Sequence, residues 1–304
     1  MVQYLYKNVK NEKIQNVDAF KRGCWIYVTK PSIEELTSIS NDLNLDFDIL
    51  KDVLDNYEVP RLENDEGTKY IFTRYVVNKN LKLETEPILI VFSNEFVLTV
   101  SYSEATSLKK LKSKNINTTQ KTKLLIEILS TINDEIKHEV NSLSKEIKNL
   151  SSKIETISNA EISKFVEHER ALNDIIATLV PTNIIFRRLI DSKSIQLYED
   201  DLEIIEDLTI STNQLIEICK SDMKYLVNIR EAFSTILSNN LNKTMKMLTS
   251  LTVILTTPTI ISSFFGMNVN VPLNQNPSAF LMIIAFTTII LAILIYLFNK
   301  NKLM

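Results

Sequence analysis

The sequence predicts an α+β protein that continues into a long helical arm, a stalk and two C-terminal transmembrane helices. The 53 residues from Met247 to Asn299 contain no Asp, Glu, Lys or Arg, although 23% of the chain is charged. About 20 apolar residues cross a hydrocarbon core of about 30 Å, so this stretch is long enough for two crossings. Before it, residues 1–118 mix strand and helix patterns, whereas residues 119–246 show helical patterns alone.

Residues 1–118 are predicted to form a compact α+β domain. Runs of β-branched and aromatic residues predict strands at 23–29, 69–77, 87–92 and 95–101. The two residues between the last two strands predict a hairpin. Ser32 and Glu35 have the spacing of a capping box, which predicts a helix at 32–41, and a second short helix is predicted at 46–55.

Residues 119–197 are predicted to form an antiparallel arm of two long helices. In the first helix, at 122–158, apolar residues recur at steps of three and four, which is the spacing of a helix packed along another helix. They are Leu125, Leu129, Ile132, Ile136, Val140, Leu143, Ile147, Leu150, Ile154 and Ile157. The second helix is predicted at 160–192, disturbed at Pro181, whose ring removes a backbone hydrogen bond. For the arm alone, a coiled-coil scaffold is the simpler interpretation.

Residues 198–246 are predicted to form a stalk helix that continues into the membrane. The chain contains no Gly or Pro between Tyr198 and Pro258. A helix rises about 1.5 Å per residue, so these residues, about 60 in number, would extend about 90 Å. Such a helix would link a cytoplasmic domain to a membrane segment.

The uncharged stretch divides into a first transmembrane helix at 247–268 and a second at 280–298, joined by an outside loop at 269–279. The loop has no Lys or Arg, whereas a basic tail at 299–304 follows the second helix. Lysines flank the outer ends of the pair at Lys243, Lys246, Lys300 and Lys302. The positive-inside rule therefore predicts that both termini are cytoplasmic. The N-terminal residues are too polar for a signal peptide, which also predicts a cytoplasmic domain.

The first span carries a row of polar side chains along one side. At about 100° per residue from Asn242, seven positions fall within an arc about 100° wide. They are Asn242, Met245, Thr249, Thr252, Thr256, Thr259 and Ser263. Hydroxyls in membrane helices can also bond to the preceding turn or pack against another helix, and Ser250, Thr257 and Ser262 lie off the arc. Five hydroxyls in phase nevertheless indicate a wall that faces water, and one helix needs a ring of subunits to enclose a pore.

The same row limits the ions that could pass. It contains no carboxylate, cation or histidine, so it offers no charged ligand to replace the hydration shell of a divalent ion. Hydroxyl oxygens can still hydrogen-bond that shell. Mg²⁺ holds its waters tightly, so such a wall suits an Mg²⁺ ion that travels at least partly hydrated.

Several classes of function are excluded by composition. A net charge of -3 and a pI near 5.7 give no basis for nucleic acid as a partner. Only three glycines occur, so no Gly-rich phosphate loop or organic-cofactor motif is present. His138 and His168 lack metal-site spacing and are interpreted as solvated helix residues, and no nucleophile motif of an enzyme is found. Cys24 and Cys219 are interpreted as buried thiols.

Gly266, Met267 and Asn268 end the first span, after a long helical stalk and before a short outside loop. In this setting the chain resembles the CorA family of divalent-metal channels over its whole length, most closely from Asn239 to Asn268. The resemblance implies a funnel-shaped homopentamer in the cell membrane with an α/β/α cytoplasmic domain. It also implies uptake of Mg²⁺, with Co²⁺ or Ni²⁺ as further ions, driven by the electrochemical gradient and gated by intracellular Mg²⁺.

The resemblance also implies roles for single residues. Gly266, Met267 and Asn268 would form the selectivity filter at the outer mouth, with Gly266 allowing a close turn. Met245 and Leu248 would form a hydrophobic constriction near the cytoplasmic side. The pore-lining positions would be Asn242, Thr249, Thr252, Thr256, Thr259 and Ser263. Asp207 and Glu217 on the stalk fall at acidic positions of the kind that bind regulatory Mg²⁺ between cytoplasmic domains.

The loop after the tripeptide departs from the family pattern. Many members carry an acidic residue there, whereas residues 269–278 are uncharged and offer the amides of Asn270, Asn274, Gln275 and Asn276. Without an anionic ring, slower capture of cations is expected. Two alternatives stay open beside the Mg²⁺ channel: a zinc exporter of the same superfamily and a membrane-anchored coiled-coil scaffold.

Overall fold

The structure is a computed structural model that describes residues 1–10, 13–79, 82–114, 116–151, 159–191, 195, 197–269 and 277–301. The chain divides into two compact units, Met1–Asn228 and Ile229–Met304.

The first unit contains a seven-stranded mixed sheet with the strand order β2-β1-β3-β7-β6-β5-β4. The strands are β1 (Val2–Tyr6), β2 (Gln15–Val17), β3 (Trp25–Thr29), β4 (Arg61–Asp65), β5 (Thr68–Lys79), β6 (Lys82–Phe92) and β7 (Val97–Ser101). Strands β3 and β7 are parallel, and the other neighbouring pairs are antiparallel. The predicted hairpin is therefore confirmed as the antiparallel pair of β6 and β7.

Seven α-helices lie within the described residues. They are α1 (Ile33–Leu43), α2 (Phe47–Asp52), α3 (Thr106–Ser113), α4 (Lys121–Ser151), α5 (Asn159–Asp191), α6 (Glu199–Phe265) and α7 (Ala279–Lys300). The capping box of α1 is confirmed, because Ser32 accepts from the Glu35 backbone and the Glu35 side chain accepts from the Ser32 backbone. Asp46 caps α2 in the same manner with its side-chain oxygen.

The two faces of the sheet are covered by different helices. On one face, Ile26, Val28 and Phe72 pack with Leu36 of α1 and Leu50 of α2 in one apolar core. Alternate residues of a strand point to opposite faces, so Trp25 and Tyr27 of β3 face the other layer.

That second layer is formed by α3, α4 and α5. Lys112 of α3 lies over the Tyr27 ring, with its Nζ 3.3 Å from the ring centroid. Thr182 of α5 contacts Thr73 of β5 at 3.3 Å. The predicted α+β class with an α/β/α domain is confirmed.

Several elements differ from the sequence predictions. The predicted strand at 23–29 begins at Trp25, the strand at 69–77 extends from Thr68 to Lys79, and β1, β2, β4 and α3 were not predicted. Helix α5 continues through Pro181 from Asn159 to Asp191, so the disturbance expected at this residue does not end the helix. A single proline removes one backbone hydrogen bond, and the packing of the rest of the helix holds its path.

The long-helix predictions agree with the structure where it describes them. Helix α6 is one continuous helix through Pro258 to Phe265, and α7 follows as a second helix long and apolar enough to cross a membrane. Ile154 and Ile157 of the heptad series lie outside the described residues, as do Asn270, Asn274, Gln275, Asn276 and Lys302. Cys24 and Cys219 are buried free thiols, as predicted.

The interpretation of both histidines as solvated is wrong for His168. The His138 side chain is 80% exposed, but that of His168 is 12% exposed and lies between α4 and α5, with Nε2 3.7 Å from Glu146. Burial lowers the pKa of His168, against the opposing effect of Glu146 and Glu167, while Lys164 lowers it further.

This burial predicts a pH dependence of stability. A histidine whose folded-state pKa is lowered stays neutral in the folded protein, so the unfolded state binds more protons as the pH falls through about 6.5. The purified protein should lose thermal stability between pH 7.5 and 5.5, and His168→Gln should reduce that loss. The exposed His138→Gln variant is the control and should behave as the parent. Equal pH dependence in the parent and both variants would contradict the assignment.

Candidate ion pathway

Four threonine hydroxyls in the first span donate hydrogen bonds to the backbone of their own helix. The donors are Thr249, Thr252, Thr256 and Thr259, and each acceptor is the carbonyl oxygen four residues earlier, at 2.8, 2.8 and 3.3 Å for the first, second and fourth. A hydroxyl has one hydrogen and two lone pairs. Because the hydrogen is used within the helix, each oxygen presents acceptor lone pairs at the helix surface.

One side of this span is partly covered within the second unit. Its less exposed residues are Ser250, Ile254, Thr257, Pro258 and Ile261. At about 100° per residue from Asn242, these residues have angular positions around the helix axis between about 60° and 160°. The residues of the polar row have angular positions between about 260° and 360°. The covered side of α6 is therefore opposite to the polar row, and two of the three hydroxyl residues that lie off the row, Ser250 and Thr257, are on the covered side.

Helix α7 also has one less exposed side. Its members recur at helical spacing: Ala279, Ile283, Thr287, Ile290, Leu291, Leu294 and Phe298. Matching stripes on two neighbouring helices are typical of helices that pack side by side. The polar row of α6 is thus on the more exposed side of this helix.

At its C-terminal end, α6 ends at Phe265, and Gly266, Met267 and Asn268 follow as a turn. The Gly266 N–H donates to Ser262 O at 3.0 Å, and a Cβ at this position would lie 3.3 Å from the same oxygen. Gly266 does not have a positive φ, unlike Gly23 and Gly67, so its small size, rather than a left-handed backbone, suits it to this position. The Asn268 side chain is exposed and makes no hydrogen bond within the described residues.

Near the N-terminal end of the span, large apolar side chains are exposed on and beside the row. Met245 and Leu248 are 58% and 63% exposed, and Asn242 is also exposed. Along α6 from Asn242 towards the C-terminus, one chain therefore presents an amide, then two large apolar side chains and then the hydroxyl oxygens. The single chain does not bring residues from opposite sides of a pathway together.

The two predicted regulatory residues belong to the part of α6 that lies in the first unit. Asp207 and Glu217 are both exposed on α6, and Glu217 pairs with Lys220 at 2.8 Å. Within the described part of the chain, no group of three His, Cys, Asp or Glu side chains could hold a metal ion. A divalent site at these positions would need ligands beyond those that the described residues bring together.

Two membrane-length helices, one with an uncovered row of neutral oxygen acceptors, are features of an integral membrane transport protein. A family model for CorA-like Mg²⁺ transporter proteins matches residues 20–300. The chain belongs to this family.

Relatives and a solved structure agree with this assignment. The cobalt/magnesium transport protein CorA of Methanocaldococcus jannaschii is 25% identical over 297 residues, covering 92% of this chain and 91% of the relative. The magnesium transport protein CorA of Wolinella succinogenes is 24% identical over 269 residues, covering 85% and 84%. The complete CorA structure from M. jannaschii superimposes with a TM-score of 0.86 at 23% identity, covering 99% of this chain and 98% of that one, which confirms the fold.

Thr256 and Thr257 lie about 100° apart around α6, which predicts that they differ in access to water. In membrane-embedded protein, Thr256→Cys should react with a membrane-impermeant, water-soluble thiol reagent, because Thr256 lies in the polar row. Thr257→Cys is the matched control, since Thr257 makes the same backbone bond, to Val253 O at 2.7 Å, on the covered side. We expect at least about tenfold slower labelling at 257, and the parent protein, with both cysteines buried, supplies the background. Equal rates at both positions would rule out a water-facing row.

Proposed function

We propose that this protein is a homopentameric channel of the cell membrane that admits Mg²⁺, with Co²⁺ and Ni²⁺ as further candidate ions. The observation that carries the proposal is the polar row of α6, which lies opposite to the less exposed side of this helix. Membership of a Mg²⁺ transporter family supports the choice of ion. The names of both relatives favour magnesium over zinc, and family membership favours transport over a scaffold.

The chemistry of the row fits a hydrated cation. Water bound to a cation directs its hydrogens outward, so the hydration shell needs hydrogen-bond acceptors. The back-bonded threonines offer acceptor oxygens, for example at Thr252 and Thr259. The row contains no carboxylate, so the ion is not held by direct charged ligands and can leave again, as conduction requires.

A closed pathway requires several chains. One α6 helix provides a single wall, and identical subunits around a symmetry axis would place the same row on every side. The number five comes from the family resemblance. In this ring, residues 247–268 would line the pore and residues 280–298 would form an outer helix.

The two ends of the pathway would have different roles. Asn268 would form an amide ring at the outer mouth that meets the hydrated ion. Met245 and Leu248 would form a hydrophobic constriction near the cytoplasmic side, where loss of water stops conduction. Lysines flank the cytoplasmic ends of both spans, which supports cytoplasmic termini and an outside loop.

The membrane potential supplies enough free energy for uptake. It contributes about 2.3 kcal/mol per elementary charge per 100 mV, or about 4.6 kcal/mol for a divalent ion. Inward movement of Mg²⁺ therefore needs no ATP and no organic cofactor. A zinc exporter coupled to protons is the alternative with opposite direction, and it would show no uptake driven by an inside-negative potential.

Uptake into proteoliposomes tests the proposed function. With an inside-negative potential and low internal Mg²⁺, the parent protein should take up Mg²⁺. Asn268→Ala should lower the rate by about tenfold or more, because loss of a hydrogen bond to a charged or polarised partner costs about 1.5–3 kcal/mol.

The control for this variant is Asn240→Ala, which changes an exposed asparagine of α6 on the side opposite to the polar row. It should keep the parent rate. If the folded parent protein shows no uptake at low internal Mg²⁺, the channel proposal is wrong, and export of zinc should be measured next.

Regulation by intracellular Mg²⁺ can be tested at the exposed acids of α6. Combining Asp207→Asn with Glu217→Gln should raise the internal Mg²⁺ concentration for half-inhibition severalfold, because each change removes a negative charge that attracts the ion. Glu206→Gln removes one exposed charge from the same helix and serves as the control. Identical inhibition curves for the double variant and the parent would remove Asp207 and Glu217 from the regulatory site.

A further inference from the structure

Several buried polar side chains join α6 to the two arm helices in the first unit. The surrounding contacts are apolar, with Leu208, Leu215 and Ile216 of α6 buried among them. Polar groups in such an interface are costly unless they are hydrogen-bonded, so each bonded pair restricts how the helices can fit together.

The Asn133 amide of α4 contacts two consecutive residues of α6. Its Nδ2 donates to Ser211 Oγ at 3.3 Å, and its Oδ1 accepts from Thr212 Oγ1 at 3.1 Å. Asn133 is 4% exposed and Thr212 is fully buried. Moving α6 by one residue would rotate it by about 100° and shift it by about 1.5 Å, which would break both bonds.

The second arm helix supplies a contact at nearly the same level. Asn183 of α5, which is also buried, donates from Nδ2 to the backbone carbonyl of Thr209 at 2.9 Å. Since Thr209 is three residues before Thr212, the two asparagines hold one turn of α6 from two sides.

The last contact is further along α6. The Ser144 hydroxyl of α4 donates to a carboxylate oxygen of Asp222, which is 7% exposed and has no ion pair within the described residues. Thr209 and Asp222 are separated by about 20 Å along the helix axis. A tilt that kept one of these contacts would therefore strain the other.

The support from the arm ends soon after Asp222. Ile229 is the last buried residue of α6 before the membrane span, and the helix has no buried residue from Arg230 to Thr249. The buried contacts and the exposed segment belong to one continuous helix.

We infer that Asn133, Asn183 and Ser144 are positioning residues that hold Thr209–Asp222 of α6 in one register on the arm. The arm and this segment move as one body, and any movement that opens the ion pathway begins beyond Ile229. The register itself does not depend on the proposed function, whereas its consequence for ion flow does.

Cysteine cross-linking tests the register without measuring transport. In a Cys219→Ala background, Ser144→Cys is paired either with Asp222→Cys or with Ile218→Cys, which lies one turn earlier on α6. A short bifunctional thiol reagent should join the 144–222 pair at least about tenfold faster than the 144–218 pair. Equal rates for the two pairs would overturn the inference.

Removing one buried contact should loosen the register. Adding Thr212→Val to both cysteine pairs should raise the ratio of the 144–218 cross-linking rate to the 144–222 cross-linking rate at least threefold. Thr212→Ser keeps the hydroxyl and should leave this ratio unchanged. Thr178→Val is the matched control, since the buried Thr178 hydroxyl bonds within α5, to Asp174 O at 3.0 Å. An unchanged ratio in Thr212→Val, or an equal rise in Thr178→Val, would show that the polar contact does not set the register.

Transport by the cross-linked protein tests the consequence for gating. With residues 144 and 222 linked, Mg²⁺ uptake at low internal Mg²⁺ and its inhibition at high internal Mg²⁺ should both stay within about twofold of the unlinked protein. Loss of uptake or of inhibition on linking would mean that α6 must slide on the arm, which overturns the inference about movement. Absence of uptake before linking would instead contradict the proposed function, and the cross-linking ratios alone would then decide whether the register is held.

Discussion

A membrane-spanning backbone must satisfy its own hydrogen bonds, and this requirement explains why the apolar segments of the second unit are helical. In hydrocarbon no water is present to pair with a polar group, so a span must be helical, and a hydroxyl that bonds to the preceding turn is satisfied whether it faces lipid or water. The threonines of α6 meet this requirement by donating to the preceding turn. The same bond that makes them tolerable in a membrane leaves their oxygens as acceptors, so one constraint yields both stability and a surface suited to hydrated cations.

Helix α6 has two environments along one backbone. Its N-terminal part is packed in the first unit through apolar side chains and the Asn133 contacts, whereas the part after Ile229 has little cover until Ser250. Packing, rather than intrinsic propensity, stabilises most helices in proteins. The parts of α6 therefore differ in how they are stabilised: the N-terminal part has buried packing contacts, whereas residues 230–249 contain no buried residue.

The sequence predicts the features that depend on local pattern. The length of the uncharged stretch predicted the two membrane-length helices, and stepping at 100° per residue predicted the polar row. The structure was needed to show that the opposite side of α6 is the less exposed one. The capping box at Ser32 was predicted because it is encoded by two residues three apart. Strands β2 and β4 were missed because they are short or polar edge strands, and β1 was missed because its five residues show no alternation of apolar and polar residues. His168 and Asn133 were missed because their burial comes from helices distant in sequence, which no local pattern reports.

The choice of threonine rather than serine for four of the five hydroxyls in the row has an entropic consequence. A β-branched side chain has few χ1 rotamers in a helix, and the bond to the preceding turn selects one of them. In the proposed channel, the oxygens would therefore hold their positions before an ion arrives, and little side-chain freedom would remain to be lost when it passes. Such a row of oxygens can be well ordered without binding an ion tightly. This favours a short residence time of the ion at each threonine.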